Sequence, residues 1–234
     1  MKNVQCICFP RSGHHLVVNI LFKYFSKDID FMEVNGNKSR VYFDKIIKAG
    51  DFYYCECYAH CHEFPCSDKK TNLQKNHDYD LDLGIDKKYK YIIIYRDVIE
   101  SLISIYNYYL NKPYDLFKGM KIIDNNDGWK VFAKKTTEYW KGFIRKWITE
   151  NEMQTKDVLF INYEEIIKNP LSIFINLIKF IDPGKNVNLY FLKEIIDRLS
   201  IKKRSKVQNF KYYNKDFYSR IKEEVKEEYS IMNM

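Results

Sequence analysis

The stretch Cys6-Ile-Cys-Phe-Pro-Arg-Ser-Gly-His-His-Leu16 sets an apolar strand directly before a turn, and the turn directly before a helix. Val4 to Phe9 is an apolar run of strand length, Pro10-Arg11-Ser12-Gly13 is the turn, and Leu16, Val17, Ile20, Leu21 and Tyr24 recur at helical spacing. A helix that opens at such a turn presents free N–H groups and the positive end of its dipole, which together favour a phosphate. Gly13 lets the backbone approach an anion closely, Arg11 adds a permanent charge, and Ser12 and His14 add donors. The turn is not a Walker A loop: GxxxxGK[ST] needs an earlier Gly, a Lys after the second Gly and a Mg²⁺-binding hydroxyl, none of which is in register.

A second segment, Tyr91-Ile-Ile-Ile-Tyr-Arg-Asp-Val-Ile-Glu-Ser-Leu-Ile-Ser104, repeats the arrangement. With Arg96 at the strand's end and a helix opening near Val98, Ser104 falls about two turns into that helix. A matched pair of anion sites implies a ligand phosphorylated at two places. Further strands are expected near Phe52 to Tyr58 and Val158 to Asn162, with another near Asp30 to Val34. Helices are expected over Gly13 to Phe25, Val98 to Leu110, Trp129 to Thr149, Glu164 to Ile181 (interrupted at Asn169-Pro170), Leu189 to Leu199 and Asp216 to Glu228. Strands alternating with helices predict a three-layer α/β/α fold around a mostly parallel sheet, with ligand at the strand C-terminal ends. Nothing in residues 1–234 marks an internal linker, so one domain is expected.

Taken together, these segments resemble the cytosolic-type sulfotransferases that use 3′-phosphoadenosine-5′-phosphosulfate (PAPS), which have a nucleotide-kinase-like fold. Pro10-Arg11-Ser12-Gly13-His14-His15 is similar to that family's 5′-phosphosulfate loop, usually PKSGTT, with Arg in place of Lys and two His in place of two Thr. Arg96 and Ser104 match the Arg and Ser that hold the 3′-phosphate. Lys75-Asn76-His77 resembles the KTH element, whose His removes the acceptor proton. Tyr163, in Asn162-Tyr-Glu-Glu165, matches the Tyr of the YED segment near the adenine, and Leu16 stands where the family has an aromatic. Lys203-Arg204-Ser205-Lys206-Val-Gln-Asn-Phe-Lys211 is similar to RKGxxGDWK, the loop closing over the 3′-phosphate, but lacks both glycines and the Trp.

The resemblance implies in-line transfer of a sulfuryl group from PAPS to an acceptor hydroxyl, leaving 3′,5′-adenosine bisphosphate (PAP). Negative charge then develops on the leaving phosphate. It implies Arg11, Ser12, Gly13, His14 and His15 at the 5′-phosphosulfate, Arg96 and Ser104 at the 3′-phosphate, and Leu16 and Tyr163 beside the adenosine. Lys203, Arg204 and Ser205 would form the closing loop, and His77 would be the general base, helped by Lys75. A positioned base contributes roughly 10²–10⁴-fold in rate when its pKa suits the working pH. The chemistry needs no metal. Two alternatives stay open: a P-loop phosphotransferase using ATP, and a non-catalytic nucleotide-binding protein, which the missing glycines favour. On its own, His77 lies in the polar stretch Asn72 to Asp82 and reads as a solvated loop histidine, and Arg96 reads as a partner for Asp97 or Glu100.

The net charge of +8 suits a polyanionic ligand. The Lys residues are dispersed among Asp and Glu rather than clustered, which argues against nucleic acid. Met1 to Gln5 leads straight into the first strand with no basic leader, and no window reaches about eighteen uncharged apolar residues, so neither a signal peptide nor a membrane span is expected. A cytoplasmic location follows. Cys55, Cys57, Cys61 and Cys66 lie close together with His60 and His62, but C-x-C and C-x₃-C-x₄-C are not zinc-knuckle spacings. Cys55 and Cys57 read instead as small core residues on one strand face, and a reducing compartment argues against a Cys61–Cys66 disulfide. The aromatic-rich region from Tyr106 to Trp147 is where contact with a small-molecule or carbohydrate acceptor is expected.

Overall fold

The computed structural model describes residues 3–25, 46–49, 52–56, 71–112, 119–149, 153, 157–199 and 206–232, with backbone alone for 46–49, 52–56 and 71–72. Six strands form one sheet: β1 (Val4–Cys8), β2 (Ile46–Ala49), β3 (Phe52–Glu56), β4 (Thr71–Asn76), β5 (Lys90–Tyr95) and β6 (Val158–Asn162). Their order is β2-β3-β4-β1-β5-β6. β2 runs antiparallel to β3, and the pairs β3–β4, β4–β1, β1–β5 and β5–β6 are all parallel.

Burial on both faces is what a parallel sheet requires, and β1 is buried at every residue. Alternation sorts its side chains: Cys6 and Cys8, with Ile92 and Ile94 of β5, face one core, while Ile7 and Phe9, with Tyr91, Ile93 and Tyr95, face the other. The first core is covered by α1 (His14–Phe25), α5 (Pro170–Ile181) and α6 (Leu189–Arg198) through Val17, Leu21, Phe174, Ile178 and Leu192. The second is covered by α2 (Val98–Leu110), α3 (Asn126–Ile144) and α7 (Lys215–Glu224) through Leu102, Ile105, Trp129, Phe143 and Ile221. The result is the expected three-layer α/β/α architecture.

The short helix α4 (Tyr163–Lys168) follows β6, and Asn169-Pro170 separates it from α5, as the sequence suggested. Pro170 stands in the first turn of α5, where its missing N–H costs nothing. Several elements differ from expectation. α3 begins at Asn126, because Asn125 caps it by accepting from Gly128 N at 2.7 Å, and its C-terminal continuation Arg145–Thr149 is a π-helical turn. The tail breaks at Val225 into α7 and α8 (Lys226–Met232). The polar stretch from Asn72 contains β4, an interior strand whose Gln74 is bonded by Gln5 of β1 at 2.9 Å. The expected strand near Asp30 to Val34, Tyr114, Phe117, and the cysteine-rich segment beyond Glu56 lie outside the described residues. Among the described residues, no helix is long and apolar enough to cross a membrane, and no three His, Cys, Asp or Glu side chains are grouped as a metal site requires.

β1 sits where the strand order reverses, with β4 on one side and β5 on the other. Ligands of open α/β sheets bind at such a switch point, outside the strand C-terminal ends. Those ends carry His77 after β4, Pro10 to Gly13 after β1, Arg96 after β5 and Tyr163 after β6.

Candidate active site

The loop after β1 turns tightly. Ser12 N donates to Phe9 O at 3.2 Å, and Arg11 and Gly13 both adopt left-handed backbone, with φ of 64° and 88°. Gly13 is required twice over. Its φ disfavours a side chain, and a Cβ there would stand 2.1 Å from Tyr163 Cδ2. Tyr163 therefore packs against bare backbone at the mouth of α1, and the Arg96 guanidinium lies 5.1 Å from its ring centroid. Ser12 Oγ is buried with no hydrogen-bond partner among the described residues.

Arg96 is 1% exposed. Its Nη1 donates to Arg11 O at 3.3 Å, its Nη2 is paired with Glu100, its Nε lies 3.6 Å from Glu164 Oε1, and Trp140 Nε1 donates to its carbonyl at 3.0 Å. Of the two partners expected, Glu100 is the one that pairs, its half-buried carboxylate against a buried guanidinium, and Glu164 is a partner that the sequence did not reveal. Burial pushes the Glu164 carboxyl above its usual range, with the Arg96 charge opposing. Asp97 caps α2 through Glu100 N at 3.0 Å, and Tyr229 of α8 in turn donates to Asp97 Oδ2 at 2.5 Å.

Arg11 reaches across to α2. Its Nε donates to Ser104 Oγ at 3.5 Å and its guanidinium carbon stands 4.7 Å from the Tyr108 ring centroid. Arg11, Arg96, Ser104, Tyr108, Lys206 and Tyr212 line a cavity of about 690 Å³, a size suited to a nucleotide-sized ligand. Tyr212 is fastened there by donating to Asp124 Oδ1 at 2.7 Å. Lys203, Arg204 and Ser205, which precede Lys206 in sequence, lie outside the described residues.

His77 is half-buried at the end of β4. Its Nδ1 lies 2.7 Å from Cys8 O, an acceptor, so Nδ1 carries the proton and Nε2 is left with the lone pair a base needs. Burial, then the Lys75 charge, hold its imidazolium pKa well below the ordinary value. Lys75 is itself 3% exposed, paired in register with Cys6. His14 is also buried, its Nδ1 3.6 Å from Cys6 Sγ, and the same two causes depress its pKa. His15 is exposed and meets the His14 ring edge-on at 5.6 Å. Leu16 is half-buried and packs into the core beneath α1.

The structure thus gathers the loop residues, Arg96, Tyr163, Lys75 and His77 at adjacent strand ends, with Ser104 of α2 beside Arg11. His14 faces the sheet and Leu16 the core. The sequence reading missed the contacts of two residues it had passed over: Glu164, inside the segment matched to YED, pairs with Arg96, and Tyr108, expected at the acceptor, stands against Arg11. It also missed Cys8, whose carbonyl orients His77 through β1–β4 pairing that spacing cannot reveal.

No curated protein sequence matches this chain significantly. Its fold is similar to that of a mouse sulfotransferase complexed with PAP, at 16% identity and TM-score 0.60, covering 98% of this chain and 83% of that one. It is similar also to retinol dehydratase in complex with androsterone and inactive cofactor PAP, at 11% identity and TM-score 0.63, covering 97% and 81%. At these identities the likeness speaks for the fold. The family model described as the sulfotransferase domain matches residues 7–230, a span that takes in every strand-end residue described above, and the chain belongs to the sulfotransferase domain family.

Proposed function

We propose that this protein transfers a sulfuryl group from PAPS to a hydroxyl acceptor. The observation that carries the reading is the convergence of a candidate base, an anion loop and a second anion site on the neighbouring strands β4, β1 and β5. The residues fit the donor: Ser12 Oγ is buried without a partner among the described residues, Gly13 offers backbone free of a side chain, and Arg11 and Arg96 line one cavity. When bound, PAPS supplies an activated sulfuryl group.

In this reading Ser12 and the amides at the start of α1 hold the 5′-phosphosulfate, while Arg96 and Ser104 hold the 3′-phosphate. Arg11, always charged, offsets negative charge on the leaving phosphate but cannot act as a proton donor. Tyr163 supports the loop from beneath, beside the adenosine. His77, neutral at pH 7, takes the acceptor proton at Nε2, and the buried Lys75 ammonium places positive charge beside it.

A second reading, a nucleotide-binding protein without transfer activity, is favoured by one observation: Glu100 and Glu164 already occupy Arg96 and compete with a phosphate there. Single-turnover assays with labelled PAPS and a panel of phenolic, alcoholic and sugar acceptors decide between the two. Transfer that is lost in His77→Ala while PAP binding persists supports the enzyme; PAP binding with no transfer to any acceptor supports the binding protein.

A further inference from the structure

Asp78 follows His77 in left-handed backbone, with φ of 47°, and is 4% exposed. A buried carboxylate is costly unless paired and fully hydrogen-bonded, and Asp78 is both. Its Oδ2 accepts from Lys146 Nζ at 2.8 Å and from Trp147 Nε1 at 2.8 Å, and its Oδ1 accepts from Leu83 N at 2.9 Å. Lys146 and Trp147 are consecutive residues of the π turn Arg145–Thr149. Lys146 Nζ also donates to Leu83 O at 2.7 Å, closing a ring of contacts between the π turn and the loop after β4. Below this, Asn76 Oδ1 accepts from Asp78 N at 2.7 Å, and Tyr139 of α3 donates to the His77 carbonyl at 2.7 Å. The His77 backbone is held on both sides while its ring is held by Cys8 O.

We infer that Asp78, clamped by Lys146 and Trp147 of the π turn, is a positioning residue that holds the His77 backbone where its imidazole meets Cys8 O. The inference rests on the proposed role of His77 as base. Single π turns inside α-helices recur at functional sites. Asp78 acts through His77 and touches no reacting atom.

The test is Asp78→Asn, which keeps a residue tolerant of left-handed backbone and removes the charge facing Lys146. Expected is a fall in kcat of about 10-fold with PAP affinity and the KM for PAPS within about twofold of wild type. In a His77→Ala background the same change has no further effect on the residual rate, because the two act as a unit. Imidazole ¹⁵N spectra give a readout independent of catalysis: wild-type His77 shows the Nδ1–H tautomer, and Asp78→Asn shows a mixture. An unchanged spectrum, or an equal loss of rate with and without His77, overturns the inference. Full activity in His77→Ala overturns the base assignment instead, and the spectra alone then decide on Asp78. If Asp78→Asn does not fold, Lys146→Gln, which leaves Asp78 bonded to Trp147 and Leu83, carries the same readouts.

Discussion

The Tyr163 ring occupies the space that a Cβ on Gly13 would fill, 2.1 Å from that position. The loop after β1 and the end of β6 are thereby locked together beneath the candidate anion site, with Arg96 against the same ring. Gly13→Ala meets both a collision and a φ of 88°, and it should cost about 3 kcal/mol or more of stability. Gly13→Ala with Tyr163→Ala should recover part of that loss but not the strain. Denaturant unfolding of both variants checks this; equal stability of Gly13→Ala and wild type contradicts it.

Glu100 holds the Arg96 guanidinium that a 3′-phosphate would need. Removing the competing charge with Glu100→Gln should tighten PAP binding by about 3–10-fold at low salt, and less at high salt. Weaker binding in the variant would show that Glu100 orients Arg96 rather than competes for it.

His77 and His14 have imidazolium pKa values held well below the ordinary 6.5. The acid limb of kcat/KM should therefore fall below pH 6.5, with a flat profile through neutrality. The same shifts bear on stability. Below about pH 6.5 the unfolded chain binds more protons at these residues than the native protein. Stability is thus fully present above the unfolded value and is lost as pH falls through the folded ones. Unfolding midpoints at about pH 7.5, 6.5 and 5.5 should decline in that order, and a rise on acidification would contradict the assignment.

Tyr229 joins α8 to the start of α2, donating to Asp97 Oδ2 and accepting from Val98 N at 3.2 Å. Tyr229→Phe leaves two polar groups unpaired and should cost about 1–2 kcal/mol. Thermal unfolding would show it as a lowered midpoint, and an unchanged midpoint would mean that α8 is not fastened there.

Much of this was legible because strand, turn and helix follow one another locally. Val4 to Gly13 and Tyr91 to Ser104 announce a strand, a turn and a helix, and with them the candidate anion sites, through apolar runs that end in Arg and a hydroxyl. β4 was not legible. Thr71-Asn-Leu-Gln-Lys-Asn76 is polar, and its place between β1 and β3 comes from cross-strand partners such as Gln5–Gln74 rather than from its own apolarity. His77 consequently read as a loop residue until the resemblance singled it out. The π turn was hidden for a related reason: Trp140, Phe143 and Trp147 continue one apolar face of α3, and the added residue in the turn leaves no mark on that spacing.

The most direct test of the two-phosphate site is calorimetric titration with PAP, with ATP and Mg²⁺ as the control, on wild type, Arg96→Ala and Ser104→Ala. The two-site reading requires PAP to bind in preference to ATP, with affinity lost by about 100-fold in Arg96→Ala and about 10-fold in Ser104→Ala. Binding of ATP with no preference for PAP, or PAP affinity indifferent to both substitutions, would contradict it.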